Sequence, residues 1–205
     1  MRPARVLVFA KAPVPGRVKT RLIPALGEQG AADLAARMLD ETLRQAVLAG
    51  IGPVELVGDP DPTGPDWSEI RVPVERSVQG GGDLGQRMAK AARRTLARSE
   101  HAVLIGTDCL ELGARRIAEA AGLLADHDAA IIPATDGGYV LLALRRFDPV
   151  IFEGIVWSTR SVLETTLQRM RMIAWKFHVA DPLPDVDEPA DLVHLPASWL
   201  SRAAE

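Results

Sequence analysis

The sequence predicts an α/β fold, a three-layer α/β/α sandwich around a mixed, mostly parallel sheet. Three observations lead there. Strand-like and helix-like segments alternate along the chain, the pattern of strands joined by helical crossovers. Several strand segments, Val6–Ala10 and Ala129–Pro133 among them, are unbroken apolar runs, as expected of strands covered on both faces. The composition is that of a globular protein: 205 residues, 47% hydrophobic and 25% charged, with no internal repeat or low-complexity linker. A chain of this length buries about 70% of its unfolded surface without a disulfide or metal staple. Residues 1–205 therefore read as a single domain.

Taken in order, Arg5–Ala10 is the first strand. Residues 11–27 carry three prolines and two glycines and read as a long ordered loop. From Glu28 to about Leu48 the period becomes helical, with Leu34, Met38, Leu39, Leu43 and Val47 on one face and Asp33, Arg37, Asp40 and Arg44 on the other, forming two i,i+4 ion pairs. Pro53–Gly58 is a strand, Asp59–Asp66 a turn cluster, and Ile70–Val74 an edge strand because Pro73 cannot donate to a ladder. Residues 83–98 are helical, with Leu84, Met88, Ala91, Ala92 and Leu96 inward. Then follow strand Ala102–Gly106, helix Ala114–Ala125, strands Ala129–Pro133 and Tyr139–Leu144, helix Thr159–Met170, strand Ile173–Val179 and a short helix Pro189–Leu195.

Several function classes are excluded. With 24 Lys+Arg against 27 Asp+Glu the net charge is −3, too small for a disordered chain and of the wrong sign for a general nucleic-acid binder. Four Trp, one Tyr and four Phe are too few for a base-stacking platform. Cys109, the single cysteine, makes neither an internal disulfide nor a cysteine-based zinc site and reads as a small buried side chain. His101, His127, His178 and His194 lack ligand spacing. The N-terminal apolar run stops at Lys11, too short for a signal peptide or a membrane span. A cytoplasmic protein without membrane or nucleic-acid partners is expected.

In α/β folds ligands bind at the C-terminal ends of strands, and the polar signals gather there. Lys11, Arg17, Lys19 and Arg21 fall within eleven residues after the first strand, in a loop stiffened by proline, with Gly16 allowing close backbone approach. Lysine supplies a point charge and arginine a forked donor set, which suits a phosphate-rich ligand; the plainer alternative is a solvated basic loop. The run lacks the Walker P-loop pattern. Gly80, Gly81, Gly82 and Gly85 formally contain G-x-G-x-x-G, but the segment before them is a poor central strand and Glu100 stands before a strand rather than ending one, so a dinucleotide site is not expected. A turn into a helix still offers backbone amides to a base or phosphate, with Asp83 as helix N-cap and Arg87 reaching the site; Lys90, Arg93, Arg94 and Arg98 read as the solvated face.

Asp108 ends an apolar strand, where a carboxylate is well placed for magnesium; the plainer alternative is a turn or helix N-cap aspartate. Asp185 and Asp187 precede the last helix; Asp187 is a natural N-cap, with Pro189 in the first turn and Asp191 favouring the dipole, and either aspartate could complete a metal site begun by Asp108. Asp136, Gly137, Gly138 and Tyr139 form a glycine turn able to bind a hydroxyl or amine, or a simple β-turn. Ser158 and Thr159 are acceptor-binding or N-cap residues.

Together, Lys11-Ala-Pro-Val-Pro-Gly-Arg-Val-Lys-Thr-Arg-Leu22, Gly82-Asp-Leu-Gly-Gln-Arg-Met88, Gly106-Thr-Asp-Cys-Leu-Glu-Leu112, Pro133-Ala-Thr-Asp-Gly-Gly-Tyr139 and Trp157-Ser-Thr159, in this order, resemble a bacterial family of glycosyltransferase-A-like proteins. Its members carry the labels radical-SAM/selenodomain-associated or arsenosugar-biosynthesis transferase. That family is similar to small nucleotidyltransferases such as the phospholactate and molybdenum-cofactor guanylyltransferases. Lys19-Thr-Arg-Leu22 resembles the Lys-Ser-Arg-Leu run of the former, and Asp185-Val-Asp187 with Pro189 and Asp191 resembles an Asp-x-Asp-Thr-Pro-x-Asp segment. Leu110 stands where these motifs usually have proline, and Glu188 where threonine is common.

The resemblance implies a nucleotide-diphospho-sugar transferase fold. It implies that Lys19 and Arg21 hold nucleotide phosphates and act in catalysis, and that Asp108 binds Mg²⁺ (or Mn²⁺). The expected function is transfer of a nucleotidyl or glycosyl group to a small acceptor, from a nucleoside triphosphate or a nucleotide sugar. A nucleotide-binding partner without turnover is the alternative, and a homodimer fits either.

Overall fold

The computed structural model describes residues 3–68, 70–98 and 101–200. Strands β1 (Ala4–Lys11), β2 (Val54–Asp59), β3 (Glu75–Val78), β4 (His101–Ile105), β5 (Ala129–Pro133), β6 (Tyr139–Leu144) and β7 (Phe177–Val179) form one sheet in the order β3-β2-β1-β4-β6-β5-β7. Among the described strands only β6 runs antiparallel to its neighbours. Reversal of β6 brings its first residue, Tyr139, to the edge where β4 and β5 end.

Helices cover both faces. Helix α1 (Ile23–Leu48) and α3 (Ala114–Gly122) pack through Leu39, Leu43, Ile117 and Ala121 on Val6, Val8, Val103 and Ile132. Helix α2 (Leu84–Leu96) and α4 (Val162–Met172) pack through Met88, Ala92, Leu167 and Met170 on Leu7, Leu104, Ile131 and Leu142. Leu7 thus faces one layer while Val6 and Val8 face the other, the period-2 alternation of a strand buried on both sides. A third cluster, Leu22, Leu34, Met38, Val186 and Leu195, fastens the C-terminal segment to α1.

The three-layer sandwich matches the sequence reading; several details do not. The edge strand is Glu75–Val78 rather than Ile70–Val74. An edge position pairs on one side only and tolerates the polar Glu75 and Arg76, so low apolarity there was no argument against a strand. Regular helix begins near Glu28 as expected, but Pro24 nucleates an earlier turn from Ile23, interrupted at Gly27 (φ 72°, ψ 169°). Helix α4 starts at Val162 rather than Thr159, and β7 is confined to Phe177–Val179.

Val47 and Leu84, expected inward, are exposed, because each lies on the terminal turn of its helix, beyond the sheet. Of the two expected ion pairs on α1, Arg44 meets Asp40, whereas Arg37 stacks over Trp199 and Asp33 accepts from Gln29. Glu100 lies outside the described residues. No helix among those described is long and apolar enough to cross a membrane.

One charge cluster lies inside the layers. Glu55 of β2, 2% exposed, accepts from Arg94 (2.6 Å), Arg5 (3.4 Å) and the Ser77 hydroxyl (2.5 Å). Arg94 was expected on the solvated face of α2. Burial alone would raise the Glu55 pKa, but hydrogen bonds from Arg94 and Ser77 and the charges of Arg94 and Arg5 outweigh it and hold the carboxyl below its ordinary value.

Candidate active site

The C-terminal ends of β1 and β4, the residues just after β3 and β5 and the start of β6 surround a cleft of about 660 Å³. Strand order places this cleft where β1 and β4 lie side by side while their connections leave in different directions, the crevice at which open α/β sheets bind ligands.

Three segments distant in sequence meet on its floor. Lys19 is in the left-handed region (φ 46°, ψ 42°), and its carbonyl accepts from Leu22 N–H at 2.8 Å to open a short 3-10 turn. Its ammonium donates to Asp108 Oδ1 (2.5 Å), the Val186 carbonyl (2.5 Å) and Asp187 Oδ1 (3.3 Å). Val186 N–H donates to the Asp108 carbonyl at 2.8 Å, joining the loop after β4 to the segment after β7.

Partial desolvation within the cleft raises the Asp108 pKa and Lys19 opposes it; Asp187 adds to the rise, and the net shift is upward. Asp185 is pushed up to about 6, by burial first and then by the facing Asp136 carboxylate. Burial pushes the Cys109 thiol up to about 11, which leaves it an unreactive core side chain.

The cleft brings together Lys11, Lys19, Arg21, Gly82, Asp83, Arg87, Asp108, Asp136, Gly138, Tyr139, Ser158, Thr159, Asp185 and Asp187. It does not include Gly16, Arg17, Gly81 or Gly137 in its lining. Gly16 (φ 75°) is a turn glycine whose Cβ position faces the Glu28 carboxylate, and Arg17 is exposed beside it. Gly137 (φ 97°) packs against the Arg160 backbone, where a Cβ would come within 2.4 Å of a carbonyl oxygen. Among the described residues the side chains of Lys11 and Arg17 form no hydrogen bond or ion pair, and Arg21 makes an exposed contact with Glu188 at 3.6 Å.

The glycine turn has a defined polarity. Arg87 donates to the Gly82 carbonyl (2.9 Å), Asp59 (2.7 Å) and Gln79 Oε1 (3.2 Å), while Lys90 donates to the Gly81 carbonyl (2.7 Å). The N–H groups of Gly80, Gly81 and Gly82 have no acceptor among the described residues. Asp83 is the N-cap of α2 as expected, in a capping box with Gln86. Buried Gln79, which sequence reasoning missed, donates to the carbonyls of Ala10 (2.9 Å) and Val57 (3.1 Å) and so ties the ends of β1 and β2 together beneath Arg87. Its position one residue before the triple glycine was the available signal.

Two capping expectations are corrected. Glu188, not Asp187, caps the last 3-10 turn, in a box with Asp191; the Asp187 carboxylate instead meets Lys19. Neither Ser158 nor Thr159 caps α4: its N-cap is Ser161, and the Thr159 hydroxyl donates to the Val156 carbonyl at 2.6 Å. Trp157 lies against Gly85, where a Cβ would come within 2.5 Å of the indole. Gly85→Ala is expected to push Trp157 off the helix and cost about 1–3 kcal/mol by overpacking, despite alanine's better helix propensity. Acrylamide quenching of tryptophan fluorescence reads this; quenching equal to wild type would show that the indole does not rest there.

No three carboxylate, imidazole or thiol groups among the described residues converge to hold a metal alone. Asp108 and Asp187 reach one common point with side chains 47% and 42% exposed toward the cleft. Two hard carboxylates with room for water and phosphate oxygens form the donor set that magnesium takes from proteins, so these residues fit a metal shared with a substrate.

The family described as "Uncharacterized protein conserved in bacteria (DUF2064)" matches residues 42–159. The chain belongs to this family. A structure described as a "putative nucleotide-diphospho-sugar transferase" from Desulfovibrio desulfuricans G20 is 30% identical, with a TM-score of 0.88 over 97% of this chain and 88% of that one. A nucleotidyl transferase from Methanothermobacter thermautotroptrophicus superimposes with a TM-score of 0.63 at 12% identity, covering 98% of this chain and 99% of that one. Rv0371C from Mycobacterium tuberculosis H37Rv, in complex with manganese, does so with a TM-score of 0.51 at 14% identity, covering 98% and 97%. No curated protein matches by sequence. The fold of this DUF2064 member is that of the nucleotide-diphospho-sugar transferases.

Proposed function

We propose that this protein is a divalent-metal-dependent nucleotidyltransferase acting on a nucleoside triphosphate and a small acceptor. One observation carries the reading: two aspartates, Asp108 and Asp187, converge on the floor of a cleft whose rim holds the unpaired Lys11. Carboxylates opposed to free cations suit a metal-bound polyphosphate. The 30% identical structure described as a "putative nucleotide-diphospho-sugar transferase" and the nucleotidyltransferase fold support a transferase of this general class.

In this reading Asp108 and Asp187, with Asp185 beside them, hold Mg²⁺ or Mn²⁺. When bound, the ion neutralises phosphate oxygens and aids departure of pyrophosphate. Lys11 and Arg21, which line the cleft, neutralise the triphosphate. The base lies on the Gly80–Gly82 amides, between Asp83 and Arg87. Asp136, Gly137, Gly138, Tyr139, Ser158 and Thr159 receive the acceptor. An acceptor oxygen attacks the α-phosphorus in line, forms the new P–O bond and expels pyrophosphate. Catalysis is then positioning and charge neutralisation.

Glycosyl transfer from a nucleotide sugar is the second reading, favoured by the description of the 30% identical relative. Nucleoside triphosphates and nucleotide sugars are screened with Mg²⁺ for pyrophosphate release and for products by mass spectrometry. Pyrophosphate with a nucleotidylated acceptor supports the proposal; nucleoside diphosphate with a glycosylated acceptor replaces it with the second. No thermal shift with any Mg-nucleotide at millimolar concentration sinks both.

A further inference from the structure

We propose that Lys19 is the resident counter-ion of this site: in the free protein its ammonium holds the Asp108 and Asp187 carboxylates together and competes with a divalent cation for them. The proposal rests on the metal reading of those two aspartates given above. The resemblance placed Lys19 on the nucleotide phosphates, but its three N–H groups are spent on Asp108 Oδ1, the Val186 carbonyl and Asp187 Oδ1. Its side chain is 5% exposed, against 47% and 42% for the carboxylates it joins. The lysine therefore approaches from the protein interior and leaves the solvent side of both carboxylates toward the cleft.

Its left-handed backbone (φ 46°) is unfavourable for a residue with a Cβ, so the surrounding turn imposes it. Two carboxylates this close repel, and a cation between them removes the repulsion. The lysine also cancels one of the pair's two negative charges and so weakens the hold of the site on a dication, even with Asp185 beside it. The charge of a polyphosphate must supply the rest, so the metal enters with the nucleotide rather than ahead of it. Lys19 is thus a positioning residue that sets the order of binding, and Lys11, whose side chain forms no hydrogen bond or ion pair among the described residues, is left for the phosphates.

The test uses MnCl₂ alone, without nucleotide, with free Mn²⁺ read by electron paramagnetic resonance. Lys19→Met is expected to bind Mn²⁺ at least about tenfold more tightly than wild type, because a unit positive charge a few ångströms from the ion is gone. MnCl₂ should also raise its Tm more than that of wild type. Lys19→Arg, which keeps the charge, should stay close to wild type. Equal or weaker Mn²⁺ affinity in Lys19→Met overturns the proposal.

If Lys19→Met does not fold, amine acylation of wild type, read by mass spectrometry, decides. Lys19 should react far more slowly than Lys11, and saturating MnCl₂ should release it. A Lys19 whose protection ignores MnCl₂ overturns the idea. These readouts need no turnover, so a protein that shows the Lys19→Met gain yet transfers nothing keeps this proposal and loses the transferase reading.

Discussion

Asp108→Ala is expected to lower kcat/KM by roughly a thousandfold or more, equivalent to about 4 kcal/mol of transition-state stabilisation. In the proposed reading the carboxylate is a metal ligand alongside Asp187 and Asp185, and it also anchors Lys19. Truncation therefore removes a ligand and frees an ammonium together. Asp108→Asn separates the two effects. Its amide oxygen still accepts from Lys19, so the fold is kept, while the negative charge is lost. The nucleotide-induced thermal shift should become independent of Mg²⁺ in Asp108→Asn. A magnesium-dependent shift equal to wild type would remove Asp108 from the metal site.

The second large effect concerns stability. Glu55→Ala should cost about 3–5 kcal/mol, because it leaves a cavity inside the layers, removes the buried carboxylate that Arg94 and Ser77 hold, and leaves buried Arg5 with its other carboxylate, Glu75. For a chain of this size that corresponds to a fall in Tm of roughly 6–20 °C. The pH dependence has a definite sign. Glu55 has its pKa lowered from the ordinary 4.5 in the folded protein. Its contribution is fully present above that unfolded value and is lost as pH falls through the lower folded value. The stability gap between wild type and Glu55→Ala, measured by urea unfolding, should be wide at neutral pH and narrow at about pH 3. A gap that stays constant would assign the loss to packing rather than charge.

Much of the fold was legible because buried strands write themselves as apolar runs: β5 and β6 stand where the pattern put them. The pattern failed where context sets burial. Leu84 and Val47 obey helical spacing yet lie at helix ends, and Glu75–Val78 looks polar because it pairs on one side only. In the cleft, the strand-end position of Lys11 and Asp108 was readable from charge placed after an apolar run. Their partners were not. Nothing local in Lys19-Thr-Arg21 tells that its lysine turns inward to meet residues 108 and 187, because that encounter is made by the whole sheet. Arg94 was misjudged similarly: its acidic partner, Glu55, sits on a strand where a lone charge looks anomalous until both residues are placed in space.

The segment after β7 runs back over the end of β5, with Leu183 N–H donating to the Pro133 carbonyl and Thr135 N–H to the Leu183 carbonyl, before it delivers Val186 and Asp187 to Lys19. All seven strands precede it. During synthesis the sheet can therefore be complete while the cleft still lacks its second carboxylate and the clamp on its lysine. The pair of acids comes into being only when residues 183–187 have been laid down. A chain truncated before residue 183 would carry all seven strands without the contacts that hold Lys19 to residues 186 and 187, so the state of that lysine reports that the C-terminal segment has folded in place.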